Sequence, residues 1–79
     1  METLQEKSES LLIFETNIRL KKDVDIVARV IKTETRIKKW NIDQHDIDKV
    51  LRIESENLPA TEVINLIKQA GYHCAELND

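Results

Sequence analysis

The sequence predicts an α+β fold of two layers, with two helices on one face of a four-stranded antiparallel sheet. Three observations carry this expectation. Apolar residues make up 41% of the 79 and aromatics only 4%, so Ile, Leu and Val must build the core. That composition suits a β-branched sheet covered by helices better than an all-helical bundle. The apolar period alternates between strand-like and helix-like stretches along the chain. The resulting order, strand, helix, strand, then strand, helix, strand, repeats one plan twice. A chain of this length makes one small domain, which buries only about 60% of its unfolded surface and so needs a well-packed core.

Residues 1–10 are polar, with Leu4 the one branched apolar side chain, and read as a flexible leader ahead of a single domain over 11–79. Residues 11–17 form the first strand. Its nearly continuous apolar run, Leu11-Leu12-Ile13-Phe14, suggests a central strand covered on more than one side, with Leu12 and Phe14 or Leu11 and Ile13 facing inward. Asp23 is placed to cap the first helix, and Asp25 sits near the positive end of its dipole. Val24, Val27, Ala28 and Ile31 give that helix one apolar face, and it ends near Thr33 or Thr35. Residues 37–43 alternate. Lys38, Trp40 and Ile42 share a face that Trp40 and Ile42 turn inward, and Ile37 anchors the entry.

Residues 44–48 are a polar turn. Residues 49–54 are the next strand, with Leu51 and Ile53 inward and Arg52 outward. After a connection at 55–58, Pro59 suits the first turn of a helix, where its missing N–H is no loss. Val63, Ile64, Ile67 and Ala70 form the buried stripe of this helix, with Leu66 at its edge. Gly71 falls where a left-handed residue ends a helix, and 72–77 make a last short strand. The two βαβ crossovers should be right-handed, which places both helices on one face. The expected architecture is the βαββαβ, ferredoxin-like sandwich.

Several function classes are disfavoured by composition. One Cys forbids an internal disulfide framework. No apolar run approaches the ~20 residues of a membrane span, and 1–10 lack the regions of a signal peptide, so a soluble, cytoplasmic protein is expected. No Ser, His and Asp set has a catalytic spacing and no phosphate-binding Gly loop exists, so no enzyme, catalytic residue or cofactor is expected. The third strand lacks the base-stacking aromatics of RNA-binding sheets, so nucleic acid is not an expected partner. His73 and Cys74 are neighbours in a strand, point to opposite faces and cannot chelate one ion. Cys74 reads as a buried, inert thiol. Asp43, His45, Asp46 and Asp48 read as a solvated turn, without the Gly and Glu of a calcium loop. Residues 19–39 carry eight basic against three acidic side chains in a chain of net charge −3; a basic and an acidic side would favour an oriented encounter with a charged partner, but a solvated surface of mixed signs is the expected reading.

Three stretches resemble the heavy-metal-associated domain, the module of copper chaperones and of the N-terminal parts of metal-pumping ATPases. Asp23-Val24 followed by Val27 and Val30-Ile31 matches the apolar spacing behind that family's second cysteine. Ile37-Lys38-Lys39-Trp40-Asn41-Ile42-Asp43 matches its second strand, with Arg36 in place of the usual Gly. Val63 through Ala70, Gly71 and Tyr72 resemble its final helix and Ala-Gly-Tyr turn. The similarity spans 11–77. The departure is at the family's Met-x-Cys-x-x-Cys loop, whose three positions fall without a gap on Ile18, Leu20 and Asp23. Both thiolates are replaced. Copper(I) requires soft sulfur ligands, and Leu20 donates nothing while one Asp is a hard ligand.

The resemblance implies a small binding module that has lost its metal ligands and kept its surface. In metal-carrying relatives, partners dock around the metal loop and the Tyr turn. The matching docking surface here is Ile18, Arg19, Leu20, Lys21, Lys22 and Tyr72, with Leu20 as an apolar centre in a basic rim. The expected partner is a protein, with those of metal transport the first candidates, and the chain itself a monomer or weak dimer. The alternative is metal-ion binding or transport through a non-cysteine ligand set, with Asp23 or the 43–48 turn as the available oxygens.

Overall fold

The computed structural model of the chain describes residues 9–77. Its elements are β1 (Glu9–Thr16), α1 (Lys21–Lys32), β2 (Ile37–Asp43), β3 (Val50–Glu56), α2 (Ala60–Gln69) and β4 (Cys74–Glu76). The strands form one antiparallel sheet in the order β2-β3-β1-β4. This is the expected ferredoxin-like sandwich. Of the leader expected over 1–10, residues 1–8 lie outside the described residues, whereas Glu9 and Ser10 already pair with Glu56 and Ser55.

The core lies between the sheet and the helices. Phe14 of β1 and Leu51 and Ile53 of β3 are fully buried, and Val27 and Ile31 of α1 with Val63 and Ile67 of α2 close over them. At 12 and 10 residues, the helices fall at or below the ~12–15 at which an isolated helix becomes even marginal. Their apolar stripes, each buried side chain contributing about 1.5–3 kcal/mol, therefore hold them in place.

Four expectations about the elements are corrected. β1 lies between β3 and β4, as a central strand should, but only one of its faces is covered. Phe14 and Thr16 are buried and Leu12 packs on the core, while Leu11 is 58% exposed on the open face. Both helices lie on the other face, which is how antiparallel sheets tolerate one solvated side. α1 starts at Lys21 with Leu20 as its N-cap, so Asp23 is the third helical residue and not the cap. In β2 the register slips between Ile37 and Lys39. Lys38 is a bulge residue, and this one-residue insertion lets Ile37 and Trp40, three apart, both pack on the core. Finally, β3 runs to Glu56, Pro59 is the N-cap of α2, and β4 shrinks to three residues.

Gly71 follows α2 with φ +99°, outside the range other L-residues occupy comfortably, while an added Cβ would meet nothing within 4 Å. The Gly71→Ala variant should therefore lose roughly 1–2 kcal/mol through backbone strain alone, with the native fold otherwise unchanged. Urea unfolding of the two proteins, compared with their amide spectra, checks this.

Arg36 makes a clasp at the far end of α1. Its Nε donates to Glu34 Oε2 at 2.8 Å and its Nη2 to Glu34 Oε1 at 3.0 Å. The same Nη2 reaches Glu62 Oε1 at 2.5 Å in the first turn of α2, and Nη1 reaches the Asn57 carbonyl at 3.3 Å. Hydrogen bonds from the Arg36 side chain, then from its backbone N–H, pull the Glu34 carboxyl down from 4.5 to about 2. A depressed carboxylate contributes stability that is complete above its unfolded value and disappears as pH falls toward its folded value. The urea midpoint of the wild type should thus fall between pH 4.5 and about 2, and Glu34→Gln should remove part of that acid dependence while lowering the midpoint at neutral pH.

Candidate functional site

Residues 17–20 join β1 to α1 and are stitched to three other parts of the chain. The buried Thr16 hydroxyl donates to the Lys49 carbonyl at 2.6 Å and accepts the Ile18 N–H at 3.2 Å. The Thr16 N–H donates to the Asp48 carbonyl at 3.0 Å, which fastens the start of the loop to the β2–β3 turn. Gln44 of that turn donates its amide to the Arg19 carbonyl at 2.7 Å. The His73 N–H donates to the Asn17 side chain at 2.9 Å. Side-chain and backbone donors thus fix the loop from both flanks before any helix begins.

Asp23 fastens the other end. Its Oδ2 accepts the N–H of Leu20 at 2.9 Å and of Arg19 at 3.3 Å. The Leu20 N–H belongs to the set a helix start leaves without partners, Arg19 lies one residue before the cap, and Leu20 has no side-chain acceptor to offer. Asp23 supplies it by reaching back from the third helical position. Its Oδ1 accepts the Tyr72 hydroxyl at 2.8 Å, across 49 residues. The Leu20 N–H, then the Tyr72 hydroxyl, hold the Asp23 carboxyl below its usual range, while the carboxylate pushes the Tyr72 hydroxyl up.

The docking residues expected from the sequence divide. Ile18 is fully buried and is no part of a surface. It continues the inward series of Phe14 and Thr16, so the strand alternation carries it into the core. Arg19, Lys21 and Lys22 are exposed, as is Leu20 at 48%. Tyr72 is half-buried, with its hydroxyl turned to Asp23. One residue was missed: Ile47, 91% exposed at the tip of the β2–β3 turn that buttresses the loop. Its signal was present as a lone apolar side chain inside the otherwise polar 43–48 turn.

The same geometry tests whether this site fits a soft metal. Ile18 and Leu20 carry no donor atom, and both Asp23 oxygens already accept hydrogen bonds. The single thiol, Cys74, is 2% exposed within β4, and burial pushes it up to about 12. Among the described residues no group of three His, Cys, Asp or Glu gathers closely enough to hold an ion. In the turn, Asp43 accepts the His45 N–H at 3.1 Å and Asp46 the Asp48 N–H at 2.8 Å, the short-range bonds that shape such turns. The donor set does not fit copper(I).

The whole architecture superposes on the apo form of the HMA domain of a copper chaperone for superoxide dismutase, with TM-score 0.78 at 15% identity, covering 99% of this chain and 76% of that one. The fold is that of the heavy-metal-associated domain. It is also similar to the copper(I)-loaded first domain of the human copper chaperone for SOD1, CCS, with TM-score 0.75 and 17% identity over 87% of this chain and 93% of the other. The N-terminal domain of PacS from Synechocystis PCC6803 gives 0.72 and 14% over 87% and 98%. No protein-family model and no curated protein matches the sequence. No described helix is long and apolar enough to cross a membrane. Within this fold the start of α1 is held by the Asp23 carboxylate.

Removing the Tyr72 hydroxyl should leave Asp23 with its backbone donors only. In Tyr72→Phe the Asp23 carboxyl should titrate at higher pH than in the wild type, yet remain below its ordinary 3.8. Carbon-detected titration of the side-chain carboxyl separates the two proteins.

Proposed function

We propose that this chain is a non-enzymatic binding module that docks a protein partner through the α1 start, with Leu20 at the centre and Arg19, Lys21, Lys22 and Tyr72 around it. One observation supports the reading most directly. A large apolar side chain stands 48% exposed on a loop whose backbone is held by hydrogen bonds at Ile18, Arg19 and Leu20. Holding Leu20 in water gains the monomer nothing, while a pre-ordered apolar centre in a charged rim loses little freedom on binding. Ile47, even more exposed on the adjoining turn, extends the apolar part of the surface. Solved HMA domains of the same fold include those of copper chaperones, so soluble domains of metal-transport proteins are the first partners to test. A cytoplasmic setting belongs to the same reading.

Metal handling through a changed ligand set is the competing function. Asp23 is the one loop residue that could serve it, and its engagement with Leu20, Arg19 and Tyr72 weighs against that role.

A single amide-spectrum titration series tests both. Added metal-transport domains should shift signals at 19–22, 47 and 72, and Leu20→Asp should weaken binding about tenfold, near 1.4 kcal/mol, or more. Shifts clustered elsewhere would remove the docking surface. Copper(I) and zinc should leave 18–23 unmoved, and saturable shifts there at micromolar metal would establish the competing function.

A further inference from the structure

β2 ends the sheet on one side, and no described element pairs with its outer edge. An unpaired edge is a template for another strand, and natural proteins blunt it with lysines, bulges or short length. Here the bulge at Lys38 disrupts only the entry. The five residues beyond it, Lys39, Trp40, Asn41, Ile42 and Asp43, pair regularly with β3 and leave an outer edge without a bulge. Their sequence fits itself. Lys39, Asn41 and Asp43 lie on the open face, while Trp40 and Ile42 are half-buried on the helix face and pack on the core from one side only.

We propose that two copies of the chain join their β2 edges antiparallel about a two-fold axis through Asn41. In that register Trp40 lies opposite Ile42 of the second copy, and Lys39 opposite its Asp43, each pair occurring twice. All of these pairs are of the kinds that stabilise sheets: aromatic with β-branched, and cation with anion. Asp43 retains this capacity, since only its Oδ1 is engaged, by the His45 N–H. The registers centred on Trp40 and on Lys39 do not fit. Centring on Trp40 places Ile37 opposite Asp43 and Lys38 opposite Ile42. Centring on Lys39 places that lysine opposite its own image, and like charges directly opposed are destabilising. The charged residue that would ordinarily protect an edge is here the one that selects the partner. Opposed residues keep to one face, so the product is a continuous eight-stranded sheet with all four helices on one side.

Such an interface is small, so association should be concentration-dependent. Trp40 is the only tryptophan and reports on it directly. Sedimentation and Trp40 emission are followed to about 1 mM protein, the weak end of specific association. The wild type should dimerise, with emission moving to the blue as the indole is covered. Lys39→Asp and Asp43→Lys should each weaken the homodimer about tenfold or more, because each opposes like charges twice. Mixed in equal amounts, the two variants should pair with one another, since every swapped position again meets its opposite. Asp43→Asn, which keeps an acceptor for the His45 N–H, should weaken the dimer by a smaller factor. Lys39 is exposed, so Lys39→Asp decides the matter even if Asp43→Lys disturbs the turn. A wild type still monomeric at about 1 mM, a dimer indifferent to Lys39→Asp, or folded swapped variants that ignore one another would overturn the proposal.

Discussion

The Asp23 carboxylate ties the start of α1 to the segment that follows α2, beside the bond from the His73 N–H to Asn17. A helix start leaves N–H groups in search of acceptors, and Leu20 at the N-cap cannot supply one. Asp23 accepts the Leu20 N–H, and that of Arg19 before it, with one oxygen, and its other oxygen accepts the Tyr72 hydroxyl just beyond the end of α2. A carboxylate is an acceptor only, and these three donors engage both of its oxygens. With the loop pinned here, and Ile18 drawn inward behind Thr16, Leu20 must face water. The exposed leucine is thus a consequence of where the hydrogen bonds go, and it does not require a local preference for exposure.

The same carboxylate has a counterpart at the opposite end of the helical layer. Glu34 follows α1, Glu62 lies in the first turn of α2, and Arg36 joins them. The start of α1 is therefore tied to the end of α2 by Asp23 and Tyr72, and the end of α1 to the start of α2 by the arginine clasp. These are the ties an antiparallel helix pair requires. Both use charge-assisted bonds, which are the stronger kind.

Element order was legible because period and punctuation agreed. Val24, Val27 and Ile31 could only be one face of a helix, and Gly71 stood where a left-handed residue was wanted. What was not legible depended on contacts between distant residues. The bulge at Lys38 is invisible in a strand whose alternation looks regular; it follows from fitting Ile37 and Trp40 over one core. Asp23 reads as a cap in any local scan, and only the position of Leu20 and Tyr72 makes it a third-position residue with two employments. Ile18 resembled a loop residue because the strand signal fades at Glu15-Thr16-Asn17, yet the alternation continues through it into the core. Ile47 escaped notice because its neighbours are polar.

A chain this small has one layer of core, and each helix end left loose would expose part of it. Fastening the helices at both ends with side chains frees the connecting loops from that duty. The loop at 17–20 is then rigid for reasons that lie in Thr16, Asp23, Gln44 and His73, and none of those reasons involves Arg19, Leu20, Lys21 or Lys22 side chains. Here the backbone is fixed without them, so their identities are free to be set by whatever they meet outside the molecule. That separation of support from display leaves the side chains of Arg19, Leu20, Lys21 and Lys22 on a backbone that other residues hold in place.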